Sequence, residues 1–257
     1  MDLLYRAPAG DGLLEIIPTG DNRDIGLALF RGTHLAQTDP HHETALVILA
    51  GACDLRAGRH AWTGLGERRD VFSGRATAVY VPAGTPYEIN AASSVEIALC
   101  RAAAPAAGEP FVVGPGENRP RTVGRDTWRR EVVDIIGEDQ PAQRLVLGET
   151  YNEPGSWSSY VPHKHDVDAP PDEVRLQEIY HYRLQPPQGF GLQRVYSPER
   201  AVDVAFAVQE GDSAFIPFGY HPVVAAGGYR LYYLWFLAGS GRTLRPRLDE
   251  NHRWVEP

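Results

Sequence analysis

Lysine is nearly absent from this sequence: Lys164 stands alone against 24 arginines, a ratio that a GC-rich genome explains without functional meaning. Cysteine is scarce too. Cys53 and Cys100 sit in apolar runs without metal-ligand spacing, which excludes a disulfide framework or a thiolate metal site. They read as buried free thiols, suited to a reducing cytoplasm. No apolar run approaches the ~20 residues that a membrane-spanning helix needs; the longest is Leu231–Gly239. The stretch MDLLYRAPAGDGLLEI has no basic region followed by an apolar one, so no signal peptide is expected. Basic charge is in deficit, with 25 Lys and Arg against 33 Asp and Glu, a formal net charge of −8. That argues against nucleic acid or an anionic membrane, both of which reward a basic face. A cytoplasmic protein acting on a small molecule is the expectation. A homo-oligomer is compatible with the sequence, although no interface signature is visible.

Glycine (26) and proline (21) are abundant and spread along the chain. Between them lie short runs rich in Val, Ile, Tyr, Phe and Leu: ALVILAG, AVYVPAG, VEIALC, FVVG, RLVLGETY, EIYHYRL, GLQRVYS, DVAFAV, SAFIPFG and YRLYYLWFLAG. Such runs between closely spaced turn signals predict strands of a sandwich or barrel. Helical periodicity shows only around residues 125–136. An all-β fold follows. An internal repeat sharpens it. Glu43 and Glu178 each open an apolar strand, Pro82 and Pro217 each close one, and both pairs are 135 residues apart, as are Gly84 and Gly219. Two copies of one β-domain are expected, with a Pro-, Ala- and Gly-rich seam at residues 102–121. The predicted domains are residues 1–105 and 106–257.

The densest chemistry is in PHKHDVDAPPDEVRLQEIYHYR. Side chains alternate faces along a strand, so His163 and His165 project to one side. Neutral imidazole is the commonest protein ligand for a borderline divalent metal. Glu178 opens the next strand and adds an oxygen, and the Pro217-Phe218-Gly219 turn delivers His221. Three imidazoles and a carboxylate leave coordination positions open, as a catalytic metal requires, and Zn, Mn, Fe, Co and Ni all accept such a set.

The His-x-His pair, the downstream Glu and the G-D-x4-P-x-G-x-His segment resemble the two motifs of the cupin superfamily. Two departures stand out. A twelve-residue insert separates His165 from Glu178, and Tyr220 alone lies between Gly219 and His221. A closer resemblance accounts for both. PHKHD, EIYHYRLQPPQGFGLQRVYS and GDSAFIPFGYHPVVAAGGYRLYYLWFLAG are similar to the 5-deoxy-glucuronate isomerase family, the bicupins of bacterial inositol catabolism. ETALVILAGACDL, ERRDVFSGRATAVYVPAGTPYEI and VEIALCRA carry the resemblance through the first half. A more distant likeness is to the 5-keto-4-deoxyuronate isomerase of pectin breakdown. The resemblance implies two cupin barrels (double-stranded β-helix, jelly-roll) in one chain. It also implies a metal-dependent conversion of 5-deoxy-D-glucuronate, an aldose acid, to 2-deoxy-5-keto-D-gluconate.

Strand parity then sorts the neighbours. His181 and Lys164 should face away from the metal, Lys164 as a solvated residue, whereas Tyr180 and Tyr182 should line the barrel beside Glu178. The repeat offset sets Ala28, Phe30 and Pro86 opposite the three histidines, so the first barrel is expected to hold no metal. Arg194 is preferred for the substrate carboxylate because arginine holds one bidentately, with its neighbour Gln193 as the alternative contact. Glu149, in VLGETY, and Glu178 are the candidate catalytic carboxylates. A metal-bound hydroxide or a hydride shift that needs no base stays open. Also open are another metal-cupin enzyme (a uronate ketol-isomerase or an Fe(II) dioxygenase) and a non-catalytic sugar-binding cupin.

Overall fold

A computed structural model of the chain describes residues 2–20 and 22–256. All ten runs read as strands form strands, and the helical elements among the described residues are 3₁₀ turns of three residues. None is long and apolar enough to cross a membrane. The one stretch with helical periodicity departs from expectation. It holds a 3₁₀ turn at Asp126–Trp128 and then the strand Arg130–Ile136. Val132, Val133, Ile135 and Ile136 are all buried. A strand covered on both faces loses its alternation, and apolar residues in such pairs imitate a helical stripe.

The chain folds into two compact units that interleave in sequence, where a single cut at residue 105 was expected. The first comprises Pro8–Arg119 and Asp134–Leu147; the second takes the rest of the described chain, including Pro120–Val133. Pairing explains the difference. Phe111–Val113 extends the first unit's sheet beside Thr77–Val81, and Leu4–Tyr5 pairs with Ser213–Ile216 in the second.

The repeat is visible in the strand order. The first unit runs Gly12–Ile17, Ile25–Gln37, Tyr87–Ala103, His42–Ala50, Thr77–Val81. The sheet Arg130–Ile136, Val146–Asn152, Arg230–Gly239, Leu176–Gln185, Ser213–Ile216 has the same connectivity. Even the register is kept: Glu43 pairs with Ala102 and Glu178 with Leu237, partners again 135 residues apart.

The two interiors differ in chemistry. The first is packed with Ala28, Phe30, Leu46, Ile48, Val79, Val81, Ile89, Ile97 and Leu99. Each large aliphatic there contributes roughly 1.5–3 kcal/mol through burial. Glu43, fully buried, accepts hydrogen bonds from the backbone N–H groups of Gln143 (2.8 Å), Arg144 (2.7 Å) and Leu145 (2.6 Å), and from the Tyr80 hydroxyl. Its charge is thereby satisfied locally, as a buried carboxylate requires. The second unit instead buries His165, Glu178, His221, Gln193, Ser158 and Ser159.

Candidate metal centre

Three chain segments of the second unit meet at one point. Leu176–Gln185, flanked by Ser213–Ile216 and Arg230–Gly239, carries Glu178 on its third residue. The twelve-residue insert folds back on itself, so that Leu176 N–H donates to His165 O at 2.8 Å and His165 comes to lie beside Glu178. His221 follows a turn in which Gly219 adopts φ +85°, and a Cβ there would stand 2.6 Å from Tyr196 O. Only glycine fits both demands.

The donor atoms of His165, Glu178 and His221 all lie within 4.8 Å of one another. His163 adjoins them, its ring centroid 4.9 Å from that of His221 and 6.4 Å from that of His165. The structure therefore brings three of the four predicted donors into one cluster and sets the fourth at its edge.

The proton positions follow from hydrogen bonding. His165 Nδ1 lies 2.8 Å from Leu176 O, and His221 Nδ1 lies 2.8 Å from Gly219 O. A carbonyl oxygen only accepts, so each Nδ1 carries a proton and Nε2 is the nitrogen that each ring turns inward. Both Nε2 atoms face one carboxylate oxygen: Glu178 Oε2 is 3.1 Å from His165 Nε2 and 3.2 Å from His221 Nε2. His221 Nε2 is buried and makes no hydrogen bond. With both Nε2 atoms deprotonated, as ligation requires, these acceptors converge at a distance that a cation standing among them relieves. Donors bound 2.0–2.2 Å from one ion stand roughly 3.0–3.5 Å apart, so the residues fit a divalent metal. Burial would raise the Glu178 pKa, but its two histidine neighbours hold it at about 2. Burial and the His221 and His165 charges push His163 down to about 3, which keeps it neutral and able to ligate.

The cluster opens onto a cavity of about 560 Å³, within the range of small-molecule sites. Tyr180, Tyr233, Ser159 and Thr150 present hydroxyls to it; Trp128, Tyr160 and Trp235 supply aromatic surface; Arg121 and Arg130 supply positive charge. Tyr180 bonds Ser159 Oγ at 2.7 Å, and Tyr233 bonds Ser158. Burial raises the pKa of both phenols, so they remain protonated hydrogen-bonding groups.

The profile of the KduI/IolB family matches residues 26–255. The chain belongs to that family. It is 38% identical over 228 residues to the 5-deoxy-glucuronate isomerase of Geobacillus kaustophilus, covering 88% of this chain and 83% of the relative. The crystal structure of an IolB-like protein from Salmonella typhimurium LT2, 31% identical, matches with a TM-score of 0.95 over the whole of both chains. The fold reaches further: an oxalate decarboxylase from Lactobacillus farciminis, 14% identical, matches with a TM-score of 0.67 over all of this chain and 91% of its own. The expected all-β bicupin architecture stands.

In this KduI/IolB family member several residues read from the sequence lie elsewhere. Glu149 is fully buried and accepts from the hydroxyls of Tyr151 (2.9 Å) and Tyr232 (2.8 Å). Its neighbour Thr150 is the one that lines the cavity, so alternation turns Glu149 to the other face and removes it as a base. Arg194 points outward, stacked over Tyr196 at 4.1 Å and bidentate to Asp203 at 2.8 and 2.7 Å. Gln193 does face inward, but its amide is held by His221 O at 2.6 Å, Pro222 O at 3.2 Å and the Tyr182 hydroxyl. Neither Gln193 nor Tyr182 lines the cavity; they sit behind His221, and Tyr180 alone of the predicted substrate residues reaches the opening. His181 is turned toward Ser213, 2.9 Å away. Lys164 is also turned away, yet it is not solvated. It is 6% exposed and paired with Asp166 and Glu173. The residue missed altogether is Arg130, hidden by the helix-like pattern of its strand.

Proposed function

We propose that this chain is a metal-dependent aldose–ketose isomerase, an intramolecular oxidoreductase. It converts 5-deoxy-D-glucuronate to 2-deoxy-5-keto-D-gluconate in the cytoplasm during myo-inositol catabolism. The observation that carries this reading is the convergence of two imidazole Nε2 atoms and a carboxylate oxygen at a hydroxyl-lined cavity. It occurs in a chain whose relatives bear the name of that activity. The isomerisation moves hydrogen between two adjacent carbons with no net redox change, so no organic cofactor is required.

His163, His165, Glu178 and His221 hold the ion, which can be Zn, Mn, Fe, Co or Ni. When bound, it supplies Lewis acidity, polarising the sugar carbonyl and making the neighbouring C–H easier to deprotonate. The chain's own groups do the rest. His165 and His221 donate Nδ1–H to the carbonyls of Leu176 and Gly219, which fixes the two imidazoles before substrate arrives. Tyr180 and Tyr233 stay protonated and orient the sugar hydroxyls as donors. Trp128, Tyr160 and Trp235 cover the apolar C–H faces and exclude water. Of the two carboxylates read as catalytic, Glu178 alone reaches the cavity.

A coupled assay of 5-deoxy-D-glucuronate consumption tests this reading, with and without chelator and with metal restored. Activity should vanish on chelation and return with a divalent ion. Full activity after complete chelation would overturn the metal-dependent reading. Run in D₂O, a proton-transfer route places deuterium in the product, whereas a hydride shift leaves it unlabelled.

A further inference from the structure

Arg130 is a buried cation that the fold leaves without an anion. It opens its strand at the cavity wall, is 9% exposed, and lines the same space as His163, Tyr180 and Tyr233. Its Nη1 donates to Tyr160 O at 2.9 Å and Trp128 O at 3.1 Å, contacts that fix the guanidinium plane without neutralising it. Nε is buried without a hydrogen-bond partner, and no carboxylate pairs with the group among the described residues. A guanidinium keeps its proton in proteins, so loss of charge offers no escape from the cost of burial. Arg121 adds a second positive charge to the wall. The backbone is shaped around the arrangement. At Gly124, φ +77°, a Cβ would stand 2.3 Å from Trp128 O and 2.9 Å from Arg130 Nη1. Glycine is what lets that turn close on the guanidinium.

We propose that Arg130 receives the carboxylate of the substrate and makes the cavity select sugar acids over neutral sugars. Nε is closed off by the fold, and Nη2, which makes no hydrogen bond to the protein, is the nitrogen that donates to the carboxylate in a charge-assisted pair. The carbonyl end of the sugar then lies toward His165, Glu178 and His221. This inference rests on the reading of the cavity as the site of a sugar-acid isomerase.

The test compares 5-deoxy-D-glucuronate with 5-deoxy-D-glucose, which lacks the carboxylate, in the metal-loaded parent and in Arg130→Gln and Arg130→Lys. The acid-over-neutral ratio of kcat/KM should fall roughly 10- to 100-fold in Arg130→Gln, the effect of losing a charge-assisted pair. Arg130→Lys should recover part of it. An equal loss on both sugars in both variants overturns the inference, because a merely structural role cannot discriminate them. If the parent turns over neither sugar, the isomerase reading fails by itself. Binding of D-glucuronate against D-glucose, followed through tryptophan fluorescence, then decides the role of Arg130. A parent that prefers the acid and an Arg130→Gln variant that does not uphold it; a parent without preference refutes it.

Discussion

Replacing Lys164 by methionine should destabilise the second unit by about 3 kcal/mol at pH 8, and by less at pH 5. Methionine approximates the lysine stem but removes the charge. In the parent, Nζ meets Asp166 Oδ1 and both oxygens of Glu173, at 3.0 and 3.3 Å, and the two carboxylates are 7% and 1% exposed. Breaking a buried ion pair by removing one partner costs about 3–5 kcal/mol. The lower end applies here because both carboxylates keep N–H donors. Asp166 accepts from Gly219 at 3.0 Å, and Glu173 accepts from Asp166 and Val167 at 2.7 and 3.0 Å. The pH dependence has a definite sign. Burial raises the Asp166 pKa, but the Lys164 hydrogen bond outweighs it and holds the value below 3.8. In the parent, that stabilisation is present above the unfolded value and is lost as pH falls through the folded one. Burial lowers the Lys164 pKa, but Asp166 and Glu173 outweigh it, so its contribution is present below 10.5 and is lost at higher pH. Without the ammonium, two neighbouring carboxylates must share the space, and protonating one of them relieves the strain as pH falls. Urea unfolding of the chelated protein at both pH values measures the difference. A variant within 1 kcal/mol of the parent at pH 8, with no pH dependence, would refute the reasoning.

Gln193→Ala removes the amide that holds the His221 carbonyl, and should weaken metal binding roughly 10- to 100-fold. Competition with a fluorescent chelator reads this directly, and an unchanged affinity would place Gln193 outside the support of the site. Arg194→Ala breaks an exposed pair with Asp203, so stability should change by less than about 1 kcal/mol. Its kcat/KM should match the parent; a tenfold loss would return Arg194 to the substrate. Burial raises Cys53 to about 11, leaving a thiolate fraction of ~0.001 at pH 8. An aromatic disulfide reagent should therefore titrate it only as the protein unfolds, and prompt release of one equivalent from native protein would contradict this.

Ten strands were legible as apolar runs framed by turn residues. Gly12–Ile17, Ile25–Gln37, Cys53–Ala57 and His60–Leu65 were not among them, and Arg130–Ile136, whose double-sided burial imitated a helix, concealed the arginine at its start. Parity correctly turned His181 and Lys164 away from the cluster of His165, Glu178 and His221, since it depends only on local backbone geometry. It could not foresee that the insert after His165 would fold back and bury Lys164 under Glu173. The choice between Gln193 and Arg194 failed for a related reason. Alternation says that only one neighbour points inward, but not which. Glu149 went astray in the same way, since the residue that reaches the cavity is Thr150.

Glu43 occupies in the first unit the position that Glu178 holds in the second, yet its two oxygens are engaged by three peptide N–H groups and a phenol. It works as a fastener for the returning segment at 143–145. An engineer who placed histidines at positions 28, 30 and 86 would therefore not obtain a metal centre there. The carboxylate has no idle oxygen to offer, and freeing one would detach the segment it secures. Building a metal site into the first unit has to begin with the backbone around residue 144, where a new anchor for those amides must be built before any ligand is added.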